Sequence, residues 1–563
     1  MLSRSICLLF LTLGLAAQQP VTPAPAPAAP PSAAPSGFQI NGTVVHALNG
    51  EPIAGAEVVI ASTSNPNQLQ TAVSEANGHF LFKDVAPGKY TLAAKHRGFP
   101  QQAFDGHGPF STGIAVGPEK TSENILFRLK PEGSISGRVT DEQDDPIRNA
   151  AVMLFVRHSD TGERTTDLSI HGATDDQGSY HFGHLPTGTY FVAVSAKPWY
   201  AYHDPSGSRV AKLATTDNSE LDVAYPITYY RQTIEPEAAT PITLSWGDHL
   251  TADISLRAVP AIHLRLSNQN PNSSLGIEGA TLKQTLIGGN VTFVETQIEN
   301  ISPNVIEISG IPPGRYDMGV ETSKEKNGGI STNSRHQTLN VQSNGAVDAA
   351  VGSELATVTG AVIFDDQHNP PQEASLQFHN RESGQQFEIP VSPKGEFDSP
   401  EVSPGHYDLI LLNSEGFILK SISALNAKVV GQSVEISGSD HVQLALVASK
   451  GNGRVEGVVR RDNKPIAGAM IVLVPQDPAN NWPLFRRDQS DSDGTFELSS
   501  VLPGKYTVLA IENGWDLEWA NPAVLQPYMS KGEAVQVESS SKISLTVKCS
   551  VADGSPEKVH PVK

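Results

Sequence analysis

The residues of this chain that could do chemistry fall into four groups, and three of them have a simpler structural reading. His379-Asn380-Arg381-Glu382 has the His-x-x-Glu spacing of a zinc-ligand pair. A zinc site also needs a third protein ligand and a rigid scaffold that holds all of them in tetrahedral geometry. This pair sits in a polar stretch between two runs that read as strands, so a solvated loop is expected. His158-Ser159-Asp160 has the residue types of a base, a nucleophile and an acid. Consecutive residues of an extended chain point to opposite sides, so the three do not converge, and a loop is again expected. Asp488, Asp491 and Asp493 precede Gly494, and Asp141, Glu142, Asp144 and Asp145 form a second acidic cluster. Calcium loops need oxygen ligands at fixed alternating positions, and Gln489 interrupts that order. Asp also bonds its own backbone in turns, which explains both clusters without a metal. The fourth group is aromatic. Trp199, Tyr200, Tyr202, Tyr229 and Tyr230 lie in one region, Trp515 and Trp519 in another. Sugar rings stack on exposed aromatic faces, so these seven are candidate carbohydrate-binding residues. The alternative is that they cover the ends of domains or join neighbours. No Gly-x-Ser-x-Gly elbow, phosphate loop or dinucleotide fingerprint occurs. No catalytic residue, metal or cofactor is expected.

The elements around these residues repeat. Asp493-Gly494 is followed by alternating Phe496 and Leu498, then Pro503-Gly504 and Tyr506. Asn77-Gly78 leads to Phe80, Phe82, Pro87-Gly88 and Tyr90. Gln177-Gly178 leads to Tyr180, Phe182, Thr187-Gly188 and Tyr190, and Lys394-Gly395 to Phe397, Pro404-Gly405 and Tyr407. A fifth copy has Asn304 in place of the first glycine, then Ile306, Ile308, Pro313-Gly314 and Tyr316. Gly and Asn tolerate the positive φ of a tight turn. Period-two alternation marks half-buried strands. Each copy therefore reads as a β-hairpin, with positive φ expected at both glycines and the tyrosine in a core.

Upstream of four hairpins lies a second signature. Ile40-Asn41-Gly42-Thr43-Val44, Ile135-Ser136-Gly137-Arg138-Val139, Val358-Thr359-Gly360-Ala361-Val362 and Val455-Glu456-Gly457-Val458-Val459 open the repeats. Each is followed by a Pro and, four residues on, an Ala: Pro52 and Ala56, Pro146 and Ala150, Pro370 and Ala374, Pro465 and Ala469. Pro cannot donate to a ladder and suits a strand start, while Gly inside a strand signals close backbone approach. This order of motifs resembles the carboxypeptidase regulatory-like domain. The resemblance implies an all-β chain: a tandem array of about five Greek-key β-sandwich modules of the transthyretin-like (prealbumin-like) type. It also implies, weakly, carbohydrate binding, because related domains are grouped with carbohydrate-binding-like folds. The α/β catalytic domain of a metallocarboxypeptidase has no counterpart here.

The expected organisation is a secretory leader at 1–17 and a Pro/Ala-rich linker at 18–36. Sandwiches follow at 37–130, at 131–258 with the aromatic insertion, at 259–352 in degraded form, at 353–448 and at 449–549, with a polar tail at 550–563. Arg4, the apolar run Ile6–Leu15 and Ala16-Ala17 carry the leader reading. No later run is long and apolar enough for a membrane span. The 563 residues have a formal net charge of −20, which opposes binding to nucleic-acid phosphates. Of two cysteines, Cys7 lies in the leader, leaving Cys549 without an internal partner and expected in a terminal strand. The composite expectation is a non-enzymatic exported rod of sandwiches that spaces or presents a binding surface at the cell envelope. Its partners would be a glycan, another envelope protein, or a separate peptidase or transporter.

Overall fold

The computed structural model describes residues 37–552 apart from 121, 160–161, 204–218, 268–274, 303–304, 327–328, 350–352, 366–368, 381–385 and 439–440. The expected leader and linker, Asn304, Asp160, Glu382 and the tail from Asp553 lie outside the described residues.

Alternating apolar residues become strands with one buried face. In the first sandwich these are β1 (Phe38–His46), β2 (Glu57–Ser62), β3 (Asn65–Val73), β4 (His79–Val85), β5 (Gly88–His96), β6 (Phe99–Ala103), β7 (Ile114–Val116) and β8 (Ile125–Leu129). β1 runs antiparallel to β4 and parallel to β8, giving a sheet of order β4-β1-β8. The facing sheet has the order β3-β2-β5-β6, with β7 beside the start of β5. The opening strands Gly133–Thr140, Ile262–Ser267, Ala356–Phe364 and Gly453–Arg461 repeat this plan. Each pairs antiparallel with the strand after its first turn and parallel with a later one. Five separate apolar cores result, including one in the degraded third copy around Ile306, Ile308 and Tyr316. The fold is a tandem array of β-sandwiches.

The punctuating residues have distinct jobs. Gly78, Gly178, Gly395 and Gly494 have φ of 74–83°, as the turn requires. The second glycine does not behave as expected. Gly188, Gly314, Gly405 and Gly504 are outside the left-handed region, and Gly88, at φ 157°, is close to extended. A positive φ falls four residues before Gly88, Gly188, Gly314 and Gly504, at Asp84, His184, Gly310 and Ser500. The second glycine is small for another reason: the tyrosine two residues on folds back over it. A Cβ at Gly504 would lie 3.2 Å from Tyr506, and one at Gly405 would lie 2.5 Å from Asn380 Nδ2 and 3.3 Å from Tyr407. Each ring is thereby held in the core, and its hydroxyl donates to the carbonyl four residues back. The acceptors are Ala86, Pro186, Pro312, Ser403 and Leu502 for Tyr90, Tyr190, Tyr316, Tyr407 and Tyr506. The strand glycines serve close approach. A Cβ at Gly42, Gly137, Gly360 or Gly457 would sit 2.1–2.3 Å from a carbonyl oxygen of the neighbouring chain at Ile125, Ala252, Leu444 or Leu545.

Alternation fails along several strands, two of them apolar at every central position. Tyr190–Val194 and Met470–Val474 are buried at every position. Their second faces are covered from outside the sandwich core. The helix α1 (Pro522–Met529) and Trp519 cover Met470, Val472 and Val474, while Leu286 and Ile287 of the third sandwich cover Phe191 and Ala193 of the second. Cys549 is buried in the final strand Lys542–Val551, and burial pushes its thiol up to about 11.

Tyr316→Phe removes a 2.6 Å hydroxyl bond and leaves the Pro312 carbonyl without that donor. The expected cost is about 1–3 kcal/mol. It should appear as faster amide hydrogen exchange confined to the third sandwich; unchanged exchange there would refute this role for the hydroxyl.

Candidate functional site

The acidic turn of the fifth sandwich is built into a junction with the first. Strand β7 pairs with β5 on one side, and its other edge receives residues 491–492. Gly113 N donates to Asp491 Oδ1 at 3.1 Å, Ser492 N donates to Gly113 O at 2.8 Å, and Ala115 N donates to Ser492 Oγ at 2.9 Å. Lys89 pairs with Asp491, and Lys120 with Asp493 at 2.6 Å. Gln489, 2% exposed, donates to Asp105 O at 2.7 Å and Thr112 Oγ1 at 2.8 Å, and its Oε1 lies 3.1 Å from His107 Nδ1. The Asp488, Asp491 and Asp493 group thus meets lysines and backbone donors. Among the described residues, no group of three or more His, Cys, Asp or Glu side chains is placed to hold a metal.

Burial sets the electrostatics here. It pushes Asp488 up to about 6, against the backbone donors of Glu497 and Gln489. At Asp491 burial also wins, over the lysine beside it, so its pKa is raised. At Asp493 burial is outweighed by Lys120 and Thr495, and the pKa is lowered.

The candidate aromatic residues separate into two environments. Trp199 is 89% exposed, and its ring meets Tyr200 edge-on at 5.7 Å. Tyr200 donates to Glu142 at 2.7 Å, and Tyr202 is 45% exposed. Tyr230 is half-buried under Arg231. The remaining three are joints. Tyr229 is buried, with its hydroxyl accepting from Ile287 N of the third sandwich at 3.1 Å. Trp515 stacks on His107 of the first sandwich at 4.6 Å and 6°, and its Nε1 donates to Gly468 O. Trp519 is 8% exposed and donates to Ser159 O of the second sandwich at 3.1 Å. Arg487 lies over the rings of Phe110, Trp515 and Trp519. Of the two expectations for these rings, the burial of Tyr229 and Trp519 accords with the joining one, since neither has a free face for stacking.

These contacts also correct the rod. The fifth sandwich touches the first through the acidic turn and the second through Trp519, Ala520 N on Gly162 O, and Glu518 beside Arg164. The chain therefore folds back on itself. His379 is not in a solvated loop; it is buried in the strand Ser375–Asn380, with its ring 5.9 Å from that of Trp482 in the fifth sandwich. His158 likewise ends a strand, Ala151–His158, with its Nε2 2.8 Å from Asp167.

The second and third sandwiches share an alternating row of histidines and carboxylates. His203 Nδ1 lies 2.8 Å from Asp222, Asp222 lies 2.8 Å from His263 Nε2, and His263 Nδ1 lies 3.1 Å from Glu307, which neighbours Arg265. Both ring nitrogens of His263 face carboxylates, so the ring is best satisfied as a two-donor imidazolium. Burial opposes that charge, but bonds to Glu307 and Asp222 outweigh it and raise the pKa.

Lys89, His107, Lys120, Asp222, His263, Glu307 and Arg487 are absent from the sequence-based candidates. Their partners lie up to 402 residues away in sequence, and no local spacing encodes that.

The family model of the carboxypeptidase regulatory-like domain matches residues 39–130 and 134–257, the first two sandwiches. A mouse protein described as BOS complex subunit NOMO1 is 26% identical over 211 residues, covering 34% of this chain and 16% of its own length. Colossin-A of Dictyostelium discoideum is 21% identical over 507 residues, 81% of this chain and 4% of its own. The chain thus spans a small part of these curated relatives. Among solved structures, the minor pilin of Streptococcus agalactiae shares 16% identity over 39% of this chain and 97% of its own, with a TM-score of 0.20. The major pilin subunit of Bacillus cereus shares 12% identity over 57% of this chain and 99% of its own, with a TM-score of 0.14. The arrangement of sandwiches described above rests on the contacts of this chain, not on those superpositions.

His263 has a raised pKa, so its contribution is full below its unfolded pKa of about 6.5 and is lost as pH rises through the higher folded value. Exchange at Ile262–Ser267 and Val305–Ile311, corrected for intrinsic rates, should quicken from pH 5.5 to pH 9. His263→Gln should flatten that dependence; a profile identical to the parent's would refute the assignment.

Proposed function

We propose that this chain, whose first two sandwiches are carboxypeptidase regulatory-like domains, is a non-catalytic exported scaffold of the cell envelope or exterior that works through protein partners. The observation that carries the reading is where its polar chemistry is used. The acidic turn, the His–carboxylate row and two of the three indoles that were candidates join sandwich to sandwich. Side chains committed to joints set the placement of surfaces rather than the fate of a substrate. Support for protein partners comes from the relatives described as complex subunits. Support for export is the leader-like run at 1–17. An alternative reading makes the chain a regulatory partner of a separate peptidase or an outer-membrane transporter.

Cross-linking in intact cells, followed by fractionation, tests this reading. The expected result is a stoichiometric protein complex outside the cytoplasm and a mature N-terminus close after Ala17. Retention in the cytoplasm with Met1 intact would overturn export, and the absence of any stoichiometric partner would overturn the scaffold.

A second reading, carbohydrate binding, is favoured by the exposed pair Trp199 and Tyr202. A glycan array probed with the full chain should show no retained sugar under the scaffold reading. Binding that drops at least about tenfold with Trp199→Ala, a loss of about 1.4 kcal/mol, would replace it.

A further inference from the structure

The first sandwich is held by the far end of the chain more closely than by its neighbour in sequence. Only Lys130, Pro131 and Glu132 connect the end of β8 to the second sandwich. Between those two sandwiches lies a cavity of about 810 Å³, lined by Phe104, Leu126, Lys130, His184 and Trp246 among others. Lys130 is anchored on the first sandwich, donating its N–H to Gln102 Oε1 at 3.1 Å and accepting from Gln102 Nε2 at 2.7 Å. On the other side Glu132 is held on the second sandwich by pairing with His184, and Lys130 Nζ lies 4.8 Å from the centre of the Trp246 ring, so the pivot falls at Pro131. Against the fifth sandwich the picture is the reverse: three hydrogen bonds with the edge of β7, two lysine–aspartate pairs, buried Gln489 and the His107–Trp515 stack.

We infer that the first sandwich can be exchanged between two copies of this chain. In the exchanged dimer, each first sandwich docks on the fifth sandwich of the other copy, about the hinge at Pro131. A docking surface that closes within one chain closes equally well between two, because the contacts are the same. Only the hinge conformation and the entropy of association differ. Charge sets the pairing. Lys89 and Lys120 lie on the first sandwich, Asp491 and Asp493 on the fifth. First-to-first and fifth-to-fifth contacts are repulsive, while first-to-fifth contacts are attractive. Reciprocal exchange gives a closed two-fold dimer, and its population relative to the closed monomer is set by concentration against the effective concentration within one chain. This inference does not depend on the scaffold reading, since it concerns only how the chain meets itself.

Two full-length charge variants test it. One carries Lys89→Asp and Lys120→Asp, the other Asp491→Lys and Asp493→Lys. Each alone places like charges at the junction, in one chain or between two, and is expected to be a monomer by light scattering after size exclusion. Their equimolar mixture restores attraction only between different chains. It is expected to contain about tenfold more dimer than either variant alone at equal total concentration. A mixture that stays monomeric overturns the inference. Because Asp493 also caps its own turn through Thr495, a third variant keeps the test decisive should the second fail to fold. Deleting Pro131 shortens the hinge and leaves all docking residues intact. This chain is expected to dimerise by itself, and a monomer would overturn the inference equally.

Discussion

A sheet whose central strand is apolar on both faces must be covered twice. Tyr190–Val194 and Met470–Val474 are such strands, and a single sandwich core covers only one face of each. The second cover comes from a turn of the third sandwich in one case, and from Trp519 and α1 in the other. Trp519 in turn reaches the second sandwich through its indole N–H. Hydrophobic burial beyond the repeating cores thus joins the second sandwich to the third, while in the fifth it is met from within the unit, whose Trp519 then meets the second sandwich by a hydrogen bond.

Those junctions use charge for register rather than for bulk attraction. The chain is strongly acidic, and its acidic turn meets the first sandwich at Lys89 and Lys120. Asp488 and Asp491 lose solvation there, which is why burial dominates their ionisation despite nearby donors. At the second junction, one histidine held between two carboxylates does similar work. Partly desolvated pairs of this kind add little net stability but penalise wrong pairings, because an unmatched buried charge is costly.

The repeat was legible because its physics is local. A tight turn needs positive φ within four residues, a strand alternates every second residue, and a tyrosine ring covers a glycine two positions away. The first glycine of each described copy, the core aromatics and the close-approach glycines follow from that reasoning. The second glycine was misread because its reason is steric cover by a ring rather than backbone handedness. The twice-covered strands also left a trace, an unbroken apolar run, whose second cover could not be named from the run itself.

The site was less legible. Trp515 and Trp519 were recognisable as candidates, but whether an indole stacks on a ligand, a histidine or a neighbouring sheet depends on what lies opposite it. Likewise the acidic cluster before Gly494 is a turn in sequence and an edge-strand dock in space. What the amino-acid order alone determined was the sandwich unit and its recurrence, since its turns, strand alternation and tyrosine contacts are local to each unit. What only the tertiary structure decided was that the first unit meets the fifth, because that contact joins residues about 400 apart whose complementarity exists only once each unit has folded.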